Sequence, residues 1–167
     1  MKRYYYAGGA RVPLDRDRDR IAIDISRARD AGLDNLVAVA ASAGARTLAG
    51  KVAVVPRKAL GRDALGKLRD EKALLPVYRH GTTLLVPLPE VRVEFEAGQR
   101  EKTLAALPSA PHDVEITDDV NDHVVLRPCS GDGDEAIDVA NFVFEKVHPA
   151  AAAVRFVRFV PRPLEAG

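Results

Sequence analysis

The chain has 167 residues, of which 47% are apolar and 29% charged, and a formal net charge of +1. That length suffices for one compact domain or two small ones, and so large an apolar share excludes a disordered chain. The near-neutral balance gives no reason to expect nucleic acid or an anionic membrane as partner.

The start, MKRYYYAGG, is basic but lacks the apolar core of about 7–15 residues that a secretory signal carries. No apolar run reaches the roughly 20 residues of a membrane span, so a cytoplasmic location is the default expectation. In RYYYAGGARVPL, Gly8 and Gly9 separate two strand-prone runs and predict a tight hairpin, because paired glycines supply the positive φ of its turn. DRDRDR, at 15–20, reads as a solvated, self-neutralising connector. The spacing of Asp15, Asp17 and Asp19 imitates part of a calcium loop, but the interleaved arginines would repel a cation.

RIAIDI (20–25) alternates with period two and predicts a strand. Ser26 is positioned to cap a short helix that ends at Gly32. LVAVAA (36–41) and GKVAVVP (50–56) read as strands. Residues 57–72 place Leu60, Ala64, Leu65 and Leu68 on one helical face, and ALLPVYRH (73–80) reads as the next strand.

GTTLLVPLPE predicts one more strand and a proline-marked junction at 88–90. The same order then recurs. EVRVEFE is a strand, GQREKTLAAL a helix stopped by Pro108, and HDVEITDD and DHVVLRP two strands. A helix follows from about Asp132, with Asp132 or Asp134 as its cap and carboxylates in the first turn, where the helix dipole favours them. Its stripe Ile137, Ala140 and Phe144 is expected to face a sheet, and His148-Pro149 breaks it. AVRFVRFV is the last strand, apolar on both faces, with Arg155 and Arg158 at its rim and a proline stop at Pro161.

The fold expectation is α+β: two tandem ferredoxin-like βαββαβ units, antiparallel sheets with helices on one face, plus the N-terminal hairpin. The first domain takes residues 1–88 and the second 89–167, with the units proper at about 20–80 and 90–160. Each unit leaves one sheet face for its neighbour or for a partner.

Candidates for chemistry are thin. HGTT at 80–83 imitates a catalytic-histidine motif but runs into LLVPLP, and reads as a turn. No serine nucleophile motif follows. His112 and His123, with Asp118, Asp119 and Asp122, sit where a hairpin gathers polar residues for solvation. CSGDGD (129–134) has two aspartates that would repel phosphate, and reads as a loop and helix cap. The lone Cys129 excludes an internal disulfide and a cysteine-built zinc site, and reads as a small, part-buried side chain. No cofactor, metal site or enzymatic activity is expected.

Three stretches resemble one family. The opening at 4–13, the segment LPVYRHGTTLLVPLPEVRVEFEAG and the ending IDVANFVFEKVHPAAAAVRFVRFVP are similar to the N-terminal propeptide region of bacterial subtilisin-like serine proteases, without the catalytic domain. Where that family's last strand commonly carries an acidic residue and an asparagine, this chain has Arg155, Arg158 and Val160. The resemblance implies a non-catalytic module that binds, helps fold and inhibits a subtilisin-like serine protease domain. Its partner-binding residues would be Arg155, Arg158, Pro161, Arg162, Leu164, Glu165, Ala166 and Gly167. The last of these would lie as an extended tail in a substrate groove. The alternatives are a freestanding interaction or regulatory domain of a bacterial signalling or defence system, and a small-ligand-binding protein.

Overall fold

Gly8 and Gly9 take φ of 57° and 82° and join β1 (Arg3–Ala7) to β2 (Ala10–Arg16), closing the hairpin that the glycine pair predicts. The structure is a computed structural model that describes residues 3–48, 50–120 and 122–160. After β3 (Arg20–Asp24), α1 (Ile25–Asp30) is capped by Asp24, whose carboxylate accepts the Arg27 amide at 3.2 Å, rather than by Ser26. The segment read as a strand at 36–41 is helical, within α2 (Asp34–Ser42). Leu36 and Ala40 are buried four residues apart, Asp34 occupies the first turn, and its alanines favour a helix over the strand that its two valines suggest. The strand falls later, at β4 (Arg46–Leu48), and β5 (Val52–Pro56) follows.

Next come α3 (Arg62–Asp70), β6 (Leu74–Leu75) and β7 (Tyr78–His80). The last two occupy the stretch expected as one strand. Between them lie Pro76 and Val77, where the chain leaves one sheet for the other: β6 pairs with β3, β7 with β2 and β8. β8 (Thr83–Glu94) runs unbroken through Leu88, where the sequence reading divides the chain. Then follow α4 (Gln99–Ala106), β9 (Val114–Asp119), β10 (His123–Pro128), α5 (Gly133–Val147) and β11 (Ala151–Phe159). Asp132 caps α5 by accepting the Asp134 amide at 2.8 Å, and Asp134 and Glu135 fill its first turn.

The chain is thus a mixed α+β protein with antiparallel sheets. One sheet has the order β4-β5-β3-β6. The other runs β1-β2-β7-β8-β10-β9, with β11 on the second edge of β8. β8 changes partners along its length. Thr83–Leu85 pairs with β7 and Val91–Glu94 with β10, while β11 accompanies both parts. Pro87 and Pro89 fall in the interval where neither β7 nor β10 is paired, and the ladder to β11 shifts register there, between Val154 and Phe156. A proline has no amide to donate, so a central strand tolerates it only at such a break.

Among the described residues, three apolar clusters hold these layers. α5 packs on β8, β10 and β11 through Ile137, Val139, Ala140 and Val143. α1, α2 and α3 pack on β3 and β5; Leu68 is buried as its place on the helical face predicts, whereas Leu60, expected on that face, is buried from extended backbone just before α3. The third cluster joins the two sheets: Ala22, Val52, Val54 and Leu75 meet Leu84, Val86, Leu88 and Val157. The face that the first helices leave bare is therefore buried inside the molecule and is not available to a partner. The corresponding face over the far half of β8 is polar, with Arg92 on Glu94 at 3.1 Å and Arg155 on Glu90 at 3.4 Å. Among the described residues, no helix is long and apolar enough to cross a membrane.

Candidate partner-binding groove

β11 alternates strictly. Ala152, Val154 and Phe156 turn toward α5, while Val157 and Phe159 turn toward the four-stranded sheet, where Arg46 lies 5.5 Å from the Phe159 ring. Both faces are apolar, as the sequence implies. β11 pairs with β8 on one edge, and no other described strand pairs with it. The strand is thus an edge, not an interior member of its sheet.

A second edge faces it. β1 pairs only with β2 among the described strands, and α5 holds it beside β11. The attachment is polar on the outside: Asn141 Nδ2 donates to the Tyr4 carbonyl at 2.8 Å, and the Tyr4 and Tyr6 hydroxyls donate to Glu145 at 2.6 and 2.8 Å. These two phenols hold the Glu145 carboxyl below its ordinary range. Aromatic contacts complete it. Tyr6 stacks on Phe144 at 4.2 Å, and Tyr5 packs on Phe156 at 4.9 Å. Phe144, expected to face a sheet, is only partly buried and lies under the hairpin instead; Val143 beside it fills the core.

At its base, Asp134 gathers the hairpin and β7. Arg16 donates to it at 2.7 Å, Arg3 lies 3.7 Å away, and the buried Tyr78 hydroxyl donates to its Oδ1. Burial first, then the neighbouring carboxylate, push the Tyr78 phenol well above its usual range, so it stays a neutral donor.

Between the two edges runs a groove of about 510 Å³. Gly8, Gly9, Ala140 and Ala150–Ala153 leave it open, and Tyr5, Phe144 and Phe156 wall it. Of the residues expected to bind a partner, Arg158 lines this groove, whereas Arg155 lies on the opposite face, paired with Glu90. Pro161, Arg162, Leu164, Glu165, Ala166 and Gly167 lie outside the described residues. The groove's aromatic wall was not among the expected site residues. Its signal is the YYY run beside the Gly-Gly turn, which marks a strand with large side chains on both faces.

The other candidates lie away from this groove, and His123 comes within reach of Asp118 and Asp122. His80 ends β7 at a tight turn through Gly81, as HGTT predicts. The Ser130 hydroxyl donates to Glu135. His112 contacts Asp138 at 2.9 Å and Glu135 at 3.2 Å, and His123 contacts Asp122 at 2.8 Å. Among the described residues, no three His, Cys, Asp or Glu side chains are grouped to hold a metal. Cys129 is exposed rather than part-buried, because it lies just past β10 in the loop before α5. Taken by geometry, the molecule is an α+β chain with two strand edges facing one groove. No protein-family model matches it, and no curated protein matches it.

Proposed function

We propose that the chain is a non-catalytic binding module, built of two tandem ferredoxin-like units, that engages a subtilisin-like serine protease domain, helps it fold and inhibits it. The strand orders β4-β5-β3-β6 and β9-β10-β8-β11 support the two-unit reading, since each places the strands of a βαββαβ segment in the order 2-3-1-4. The observation that carries the binding reading is β11: nine residues long, paired on one edge, with the other edge along an open groove. An extended segment of the partner adds to such an edge through backbone hydrogen bonds and places alternate side chains in pockets. Residues 161–167 follow β11 directly, and in this reading they enter the protease's substrate groove. Arg158 contacts the added strand, and Arg155 the partner's rim.

The test is the inhibition constant against a subtilisin-like domain for the full chain and for a form ending at Val160. The shortened form is expected to keep its melting temperature and to inhibit at least tenfold more weakly, about 1.4 kcal/mol. Equal inhibition would remove 161–167 from the mechanism. No inhibition by either form would overturn the protease reading in favour of a freestanding interaction domain.

A further inference from the structure

The DRDRDR segment is not a uniformly solvated connector. Asp17 is buried, at 5% exposure, and its carboxylate accepts Arg20 Nη1 at 2.6 Å, Arg79 Nε at 2.9 Å and the Asp19 amide at 3.0 Å. Burial works to raise this carboxyl, but the two guanidiniums and the amide outweigh it and hold it below its ordinary value. The Asp17 amide donates to the Val77 carbonyl at 2.9 Å, and the Arg57 amide donates to the Asp19 carbonyl at 2.7 Å. Arg57 Nε donates to the Arg18 carbonyl at 3.1 Å. The loop between β2 and β3 is thereby fixed to β7 on one side and to the turn after β5 on the other.

Arg18, Arg20, Arg57, Lys58 and Arg79 surround the resulting open cleft of about 550 Å³, with Asp19 and Pro56 completing its wall. Among the residues that line it, five cations stand against one carboxylate, Asp19; Asp17 is already engaged from beneath, and Asp15 lies opposite Arg79 in the pairing of β2 with β7. Arg20, Arg57 and Arg79 are each anchored by a single N–H, which leaves the rest of each guanidinium fork free. Arg18 and Lys58 have no acidic partner among the described residues. A cleft of this size suits a small molecule. Anchored guanidinium forks match phosphoryl oxygens in pairs, and Lys58 adds a point charge. A lone carboxylate would leave most of these donors unused.

We propose that this cleft binds a small molecule carrying one or more phosphoryl groups, independently of the groove along β11. Its position at the seam of the two sheets means that the ligand touches both.

The test titrates the full chain with inorganic pyrophosphate at about 150 mM salt, read by amide chemical shifts. Saturable shifts are expected at residues 17–20, 57, 58 and 79. Arg79 also anchors Asp17, so the diagnostic variant is Arg57→Gln with Lys58→Gln, which leaves the partners of Asp17 in place. It is expected to weaken binding at least tenfold, whereas Lys102→Gln on α4 leaves it unchanged. Shifts that do not saturate, or that survive the double variant, would overturn the proposal. Tighter binding of an oligoglutamate peptide or a single-stranded oligonucleotide than of pyrophosphate would overturn the small-molecule assignment.

Discussion

The segments β3–β6 and β8–β11 share a strand order but differ in what covers the face their helices leave bare. In the first, that face is dry: Ala22, Val52, Val54 and Leu75 press against the near half of β8 and against β11. In the second, the far half of β8 turns Arg92 and Glu94 outward, and they pair with each other. One topology therefore yields a segment buried on both faces and a segment with one wet face. The difference lies in side-chain pattern, not in chain path. It also leaves the open sheet face charged, and places the two candidate binding surfaces at an edge, β11, and at a seam, the cationic cleft.

The largest expected effect tests this contrast directly. Leu75→Ala, inside the sheet-to-sheet cluster, is expected to cost about 2–5 kcal/mol on chemical denaturation, and Arg92→Ala on the wet face to change stability by less than about 0.5 kcal/mol. Similar costs for the two would mean that the sheets do not share a dry core.

A second pair compares the helices on which the two segments depend. A Cβ on Gly133, at the start of α5, would lie 2.2 Å from the Pro87 carbonyl oxygen, whereas one on Gly66, inside α3, would meet nothing within 4 Å. Gly133→Ala is expected to destabilise by about 1–3 kcal/mol. Gly66→Ala is expected to stabilise by about 0.5–1 kcal/mol, since alanine is the better helix former. Thermal melts of the two variants should therefore move in opposite directions. The same sign for both would place α5 further from the partner switch in β8.

The smallest effect concerns acid. The Asp17 carboxyl is held below its ordinary value, so its contribution is complete above the unfolded carboxyl range, near pH 4, and is lost as pH falls through the lower folded value. Arg20 and Arg79 are partly exposed, which screens the interaction. Asp17→Asn is accordingly expected to cost about 1 kcal/mol at pH 7 and to flatten the loss of stability below pH 4. An unchanged acid limb would show that Asp17 does not carry it.

Much of this contrast is written in the residues. VAVV in β5 is apolar without interruption, as a strand covered on both sides must be, and VRVE in β8 alternates, as a strand with one wet face must. β8 contains both patterns in succession, so the change of environment is visible at Glu90 even though the strand does not break. The helix at α2 was obscured because the two valines of LVAVAA suggest a strand, and only the wider spacing of Leu36 and Ala40 with the alanine content separates the two. The burial of Asp17 left no trace in a segment whose alternating charges look uniform. It depends on Arg79, which pairing of β2 with β7 brings close from far along the chain. The groove was hidden for the same reason, since its walls come from the two ends of the described chain. Tyr5 and Phe156 meet where α5 holds the hairpin beside β11.

The central claim is that the free edge of β11 receives a partner strand. Amide hydrogen exchange of the full chain, alone and with a subtilisin-like serine protease domain added, tests it most directly. In the free chain, the amides of Ala151–Phe159 that do not face β8 are expected to exchange quickly, and on addition of the protease domain to slow at least tenfold, together with those of β1 across the groove. Protection confined to the four-stranded sheet or to the charged face of β8, with β11 unchanged, would contradict the account, as would no protection at all.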